Sequence, residues 1–326
     1  MPRAGAEIRE MVEAVDIRSA GNFFVGSERF EAPAEKAETS ELLIQLTNAL
    51  YQRKYCRPLE GSFQMAQNAR AVRVFVEQLS HANCGTGTWE SDCVIEKIEA
   101  DGTRVVRRRR DDLLLWARPQ QFRPTIGEST VGSAGRLWIG KESREMFPGY
   151  YAMFGDAERD NGARIVRFYW HLTAQGAQFW TRELTERFNA AGVSFHAKVI
   201  SDPAAFLRAD AGVLYVEQQH VPDAMALLRS LHSAVAVHLR QPTPMFTKRL
   251  ARGLAVAEDP GDGRSFGQHR CHLVSEGLVR AFTAGDSGFE QVVTAVEHRF
   301  AEDGLTVKRP WLNAGSANAY HWPKEP

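Results

Sequence analysis

The chain has 326 residues, with 40 basic and 40 acidic side chains and a formal net charge of zero. That balance excludes partners held by bulk charge, so neither nucleic acid nor a membrane surface is expected. Apolar residues make up 44%, enough for a globular core, while no apolar run approaches the ~20 residues of a membrane span.

The start of the chain is charged and amphipathic, without the apolar region of a secretory signal. Four cysteines (Cys56, Cys84, Cys93, Cys271) are too few for a disulfide framework at this length. The expected setting is cytoplasmic. Ala4 to Val15 suits a helix and Ser27 to Thr39 a loop. Thr39 or Ser40 then caps a helix with Leu42, Leu43, Leu46, Ala49 and Leu50 at helical spacing, and Pro58 stops it. A second helix is predicted over Phe63 to Leu79. Asn83 to Trp89 is glycine-rich, but lacks the Lys-Ser/Thr of a phosphate-cradling loop. Cys93 to Ala100 and Thr103 to Arg109 read as a hairpin about Asp101-Gly102; the basic run Arg107 to Arg110 reads as a solvated strand end. Residues 117–135, rich in Pro, Gly, Ser, Gln and Arg, read as a linker.

Beyond it strands and helices alternate. Arg164 to Leu172 is a strand whose period of two puts Val166, Phe168, Trp170 and Leu172 on one face and Arg167, Tyr169 and His171 on the other. Thr173 caps a long helix closed by Gly192. In the strand Val193 to Ile200, His196 and Lys198 share the polar face. A short helix after Pro203, a strand Gly212 to Val216 and a helix Val221 to Leu239 follow. Pro244 to Glu276 passes through the turn Asp259-Pro260-Gly261-Asp262-Gly263 into a helix from Ser265 to about Phe282, with another near Phe289 to Phe300. The predicted fold is α+β, a mixed sheet flanked by helices. Residues 1–125 form a smaller, mostly helical N-terminal region with a hairpin and a possible peptide-binding role; residues 126–326 form the α/β catalytic part.

The chemistry concentrates where a glycine-rich turn enters a helix carrying Arg264, Ser265, Gln268, His269 and Arg270. Free N–H groups and the helix dipole favour an anion there, although an ordinary surface turn has the same composition. There is no Gly-x-Ser-x-Gly and no Cys-x-x-Cys, and His269-x-x-His272 is at most half a metal site; no metal and no cofactor is expected. If the two polar strand faces are neighbours, Arg167, Tyr169, His171, His196 and Lys198 line one surface. A pocket of Arg, Lys and His without an activated nucleophile suits β-elimination of phosphate. That reaction needs a base for the Cα proton, arginine forks for the phosphate and an acid for the leaving group.

RFYWHL (167–172), DAGVLYV (210–216), PMFTK (244–248), AEDPGDGRSFGQHRC (257–271) and Pro148-Gly149-Tyr150-Tyr151 together resemble the HopA-type family of type III effectors and its relatives in peptide-modification gene clusters. One departure is His171, at a strand position where the family often has Asn. The resemblance implies a phosphoserine/phosphothreonine lyase of class V lanthipeptide or thioamitide biosynthesis. Its partners would be a precursor peptide phosphorylated by a separate Ser/Thr kinase, and a cyclase that later adds cysteine thiols to the dehydroalanine or dehydrobutyrine. Residue roles follow from side-chain chemistry instead. Lys198 or Lys248 is the base, with the other stabilising the enolate; His269 is the acid; Arg167, Arg264 and Arg270 clamp phosphate, supported by Tyr169, Ser265 and Gln268. The competing readings are a phosphopeptide- or leader-peptide-binding protein, an effector acting on host proteins, and a charge network with no ligand.

Overall fold

The computed structural model describes residues 5–31, 38–58, 68–109, 112–160 and 162–322. Helix α1 (Ala6–Glu13) precedes a three-stranded meander, β1 (Val15–Ser19), β2 (Asn22–Val25) and β3 (Glu28–Glu31). Helix α2 (Thr39–Leu50) follows, preceded by Glu38 without a side-chain cap, so neither Thr39 nor Ser40 is the capping residue. It widens into a π-helical turn at Tyr51–Tyr55 that stacks the two tyrosine rings 5.3 Å apart. Helix α3 (Ala69–Ala82) is capped by Asn68; the 63–67 part of the predicted helix lies outside the described residues, as do Ala4, Arg110 and residues 32–37 of the predicted loop.

Five strands then form a second sheet: β4 (Thr88–Ile98), β5 (Arg104–Arg108), β6 (Leu113–Ala117), β7 (Phe122–Pro124) and β8 (Ala134–Ile139), in the order β6-β5-β4-β8-β7. The expected hairpin is β4–β5. The stretch expected as a linker is instead part of this sheet, because Phe122 to Pro124 pair with Leu137 to Gly135. A boundary at 125/126 therefore runs between two paired strands.

The largest sheet holds β9 (Glu142–Ser143), β10 (Tyr150–Phe154), β11 (Ile165–Trp170), β12 (Phe195–Ile200), β13 (Gly212–Glu217), β14 (Lys248–Ala251) and β15 (Leu254–Glu258), in the order β14-β15-β11-β13-β12-β10-β9. Its described pairs are all antiparallel, so the α+β class holds with an antiparallel sheet in place of a mixed one. Thr173 caps α4 (Ala174–Ala190), accepting from the Gly176 amide. Gly192, at φ 65°, closes it with Val193 donating to Phe188 and Gly192 to Asn189, the paired bonds of a left-handed helix stop. Helix α5 (Val221–Val235), α6 (Phe266–Ala284) and α7 (Phe289–Glu302) complete the described helices.

Both faces of the large sheet are covered. Val166, Phe168, Trp170 and Leu172 pack under α4 and α5 against Trp180, Phe188 and Leu228. Tyr169, Val213 and Ala257 pack against Leu46, Tyr55 and Phe266 from the α2–α6 side. Each such apolar side chain contributes ~1.5–3 kcal/mol on burial. Helices α6 and α7 approach closely because Gly277 has no side chain; a Cβ there would sit 2.5 Å from Val296 Cα. Gly277→Ala is expected to cost ~1–3 kcal/mol by overpacking, read as a lower urea midpoint; an unchanged midpoint would show that α7 can yield. None of the four cysteines forms a disulfide. Among the described residues no helix is long and apolar enough to cross a membrane.

Candidate functional site

The register of the large sheet builds the site. Arg167 lies opposite Tyr215, and Tyr215 opposite His196; in the adjacent row Tyr169 lies opposite Val213, and Val213 opposite Lys198. Directly opposed residues share a face, so Arg167, Tyr169, His196 and Lys198 stand on one side, as the period of two predicts. Tyr215 binds the row together. The His196 ring stacks on it at 4.1 Å and 8°, and the Arg167 guanidinium lies 5.3 Å from its centroid. Lys198 Nζ sits 4.4 Å from the Tyr150 ring centroid and 5.0 Å from that of Phe147. No hydrogen bond or ion pair of Lys198 is found among the described residues.

Beneath this face is a buried polar network. Arg208 Nε donates to Asp210 Oδ1 at 2.5 Å and its Nη2 to Oδ2 at 2.7 Å. Nη2 also lies 2.9 Å from Cys56 Sγ and donates to the Tyr51 hydroxyl at 3.1 Å. Burial opposes the Asp210 charge, yet Arg208 and Lys198 hold its carboxyl below the ordinary range. The π-helical turn after α2 aims Tyr51 and Cys56 at this pair.

The helix start lies on the other flank of Arg167. Arg167 Nε donates to Asp259 Oδ2 at 2.6 Å, and its Nη2 reaches Asp259 and the Arg264 carbonyl. Burial opposes its charge, but Tyr169, Tyr215 and Asp259 keep the guanidinium above its ordinary value. Ser265 caps α6, accepting from the Gln268 amide at 3.2 Å, and its hydroxyl donates to Gln268 Oε1 at 3.0 Å. These two side chains serve the helix start. Arg264 is half exposed, 3.6 Å from Asp262.

Arg270 is 1% exposed and grips the C-terminal tail: Nε donates to the Pro310 carbonyl at 2.8 Å and Nη2 to Leu312 at 3.1 Å. Its Nη1 donates to His269 Nδ1 at 2.8 Å, which leaves the imidazole proton on Nε2. Burial, reinforced by Arg270, pushes His269 down to about 4, and burial pushes Arg270 down to about 10. A histidine neutral at pH 7 is no ready acid, which counts against that role for His269. His269 and Arg270 line a cleft of ≈ 590 Å³ with Asp259, Asn313 and Arg164. The His269 imidazole is expected to titrate by NMR near pH 4, well below the ordinary 6.5. With the folded value below the unfolded one, the unfolded chain takes the proton first, so stability falls as pH drops through that window. A midpoint near 6.5 would contradict the burial of this ring.

Lys248 is the clear departure. It lies opposite Val256, which lies opposite Phe168, so it belongs to the face under α4 and α5. Its Nζ donates to Asn318 Oδ1 at 2.8 Å and to the Tyr320 carbonyl, and burial lowers its pKa. The sheet thus separates Lys248 from Lys198, and the expected pairing of the two lysines about one substrate is not formed. Arg270, committed to the tail, and Ser265 with Gln268, committed to the cap, are likewise not gathered around Lys198. The polar face gathers Arg167, Tyr169, His196 and Lys198. His171 is fully buried, with Nδ1 2.8 Å from the Pro242 carbonyl. The glycine-rich loop after α3 turns its Thr86 and Gly87 amides to Asp156 Oδ1, at 2.7 and 2.8 Å, so its anion position is filled by the chain's own carboxylate.

Residues 142–312, more than half of the chain, match the HopA1 effector protein family. The chain belongs to this family. The matched stretch runs from β9 to the tail carbonyls gripped by Arg270, and so contains the whole HopA1-type sheet with its polar face. Two solved structures share the fold. An effector protein from Pseudomonas syringae pv. tomato strain DC3000 is 18% identical, with 95% of this chain and 96% of that chain covered and a TM-score of 0.52. An effector protein from Pseudomonas syringae pv. syringae strain 61 is 14% identical, with 96% and 99% covered and a TM-score of 0.50. No curated protein sequence matches the chain.

Tyr215, Tyr150, Arg159 and the Arg208–Asp210 pair were not assigned from the sequence. Tyr215 was within reach, since extending the period of two to β13 places it on the face of His196. The Arg208–Asp210 pair carries no such signal, because its partners Tyr51 and Cys56 lie more than 150 residues away.

Proposed function

We propose that this HopA1-family chain is a phosphoserine/phosphothreonine lyase acting on a phosphorylated peptide at the Lys198–Tyr215–Arg167 face. One observation carries the reading: Lys198 presents its ammonium over two aromatic rings with no carboxylate in ion-pair range, while Arg167 and Arg208 are each tied to one. An unpaired cation on a largely buried face is where an anion binds with least competition. In its neutral form Lys198 takes the Cα proton. The C–H pair becomes the C=C bond of dehydroalanine or dehydrobutyrine, and the Cβ–O bond breaks with its electrons leaving on phosphate. His196 stands two residues along the same face, roughly 7 Å away. Its Nδ1 lies 2.9 Å from Arg159 Nη1, which brings a second guanidinium to the edge of this face. Arg264, half exposed, has donors to spare for the phosphate oxygens. A kinase must supply such a substrate, and a thiol addition would consume the product.

A second reading has the same face bind a phosphorylated protein without chemistry, as an effector acting on host proteins could. It is favoured by the commitment of Arg167 to Asp259 and of Arg270 to main-chain carbonyls. Mass spectrometry of a synthetic phosphothreonine peptide incubated with the full chain separates the two. Loss of phosphoric acid from the peptide is the expected result. Phosphate release leaving threonine indicates a phosphatase, and an intact but bound peptide indicates the second reading.

A further inference from the structure

Beside the polar face a half-open cavity of ≈ 310 Å³ lies between the two larger sheets, at the small end of ligand pockets (~300–1,000 Å³). The five-stranded sheet contributes Leu115 and Ile139, and the seven-stranded sheet contributes Phe154 and His196; Met146 and Phe147 stand at the loop before β10. The charged groups on its wall are held by hydrogen bonds within the protein. Glu90 accepts from Arg108 at 2.8 Å and from Arg159 at 3.4 Å, and Glu217 accepts from Ser194 and from the Asp160 amide, both at 2.8 Å. The two arginines are thus taken up by Glu90, and apart from the hydrogen-bonded carboxylates of Glu217 and Asp160 the walls offer apolar and aromatic surface. The cavity is continuous with the face described above, since Phe147 and His196 belong to both: Phe147 carries the Lys198 ammonium on its ring, and His196 stacks on Tyr215. Met146, 47% exposed, marks the mouth.

We infer that this cavity is a specificity subsite, receiving an apolar side chain of the same peptide whose phosphorylated residue lies at Lys198. The inference rests on the phosphopeptide reading of that face and adds to it the kind of sequence preferred. Lys198 and His196 are two residues apart on one strand, roughly 7 Å. An extended peptide with its phosphorylated residue over Lys198 thus presents a side chain one or two positions away to the cavity.

The test uses the full chain and phosphothreonine peptides identical except at the two residues before and the two after the phosphothreonine. Each position is set in turn to Gly, Leu or Lys. Elimination is followed by mass spectrometry and binding by fluorescence anisotropy. At one position Leu is expected to exceed both Gly and Lys by about 10-fold or more, as small apolar pockets discriminate. Leu115→Trp, which fills the cavity, should reduce that ratio to about threefold or less. Met146→Gln, at the exposed mouth where folding is not at stake, should reduce it in the same direction. Elimination with equal rates and affinities at all four positions would overturn the subsite while leaving the lyase intact. A Leu preference in binding without loss of phosphate would support the subsite and overturn the lyase. Ratios unchanged in both variants would overturn the subsite, and neither binding nor elimination of any peptide would overturn both.

Discussion

Lys198→Ala is expected to slow phosphate elimination by ~10²–10⁴-fold, the range for removal of a general base, with little change in the urea midpoint. Lys248→Ala is expected to leave the rate within a small factor of the parent and to act on stability instead. The two lysines were indistinguishable as candidates until register separated them. Lys198 shares its face with Arg167, Tyr169 and His196, and its ammonium is over Tyr150 and Phe147. Lys248 is on the opposite face, holding Asn318 and the Tyr320 carbonyl of the tail. Lys198→Arg divides the chemical role from the electrostatic one. A guanidinium keeps the charge but does not deprotonate, so phosphopeptide binding should survive while elimination is lost. If Lys198→Arg eliminates at the parent rate, the base lies elsewhere; if Lys248→Ala is the variant that fails in chemistry, the assignment of faces to function is wrong.

What could be read ahead of the structure was whatever the chain encodes within a few residues. The faces of β11 and β12 follow from period two, the start of α4 from Thr173, the start of α6 from Ser265 and the end of α4 from Gly192. The β14–β15 hairpin was not recognised. Its second strand is buried along its whole length, so it shows no alternation, and Arg249 and Arg252 make its surroundings look like a solvated loop. The face of Lys248 depends on pairing with Val256 and not its neighbour; a slip of one residue would bring it to the other side, and nothing local fixes that choice. The stretch 117–135 has a linker's composition, yet Phe122 and Leu137 bring it into a sheet. Arg270 has the chemistry of a phosphate clamp, but its partners are carbonyls 40 and 42 residues further on. Side-chain type was visible in the sequence; long-range occupancy was not.

Removing either partner of the Arg208–Asp210 pair is expected to cost ~3–5 kcal/mol of folding stability, because the remaining charge stays buried and uncompensated. Arg208 is 6% and Asp210 4% exposed, and the fork from Nε and Nη2 to the two carboxylate oxygens leaves neither room nor solvent for a substitute. Asp210→Ala strands the guanidinium beside the Cys56 thiol and the Tyr51 hydroxyl; Arg208→Ala strands the carboxylate near the Lys198 ammonium, which partly offsets the loss, so the first change should be the worse. The pair also sets a pH dependence. The Asp210 carboxyl is held below its ordinary value, so its contribution is complete above the unfolded value of ~3.9 and is lost as pH falls through the lower folded value. The double variant Arg208→Met/Asp210→Leu removes both charges and is expected to recover most of the stability at pH 7, with a flatter profile below pH ~4. It should not recover elimination to the same degree, since the Asp210 charge that acts on Lys198 through space is gone. Urea unfolding of the three variants at pH 7 and pH 3 tests the argument. Single changes costing less than about 1 kcal/mol would mean that water reaches this pair, as it reaches exposed ones, and a double variant as unstable as the sum of the two would show that the charges do not depend on one another.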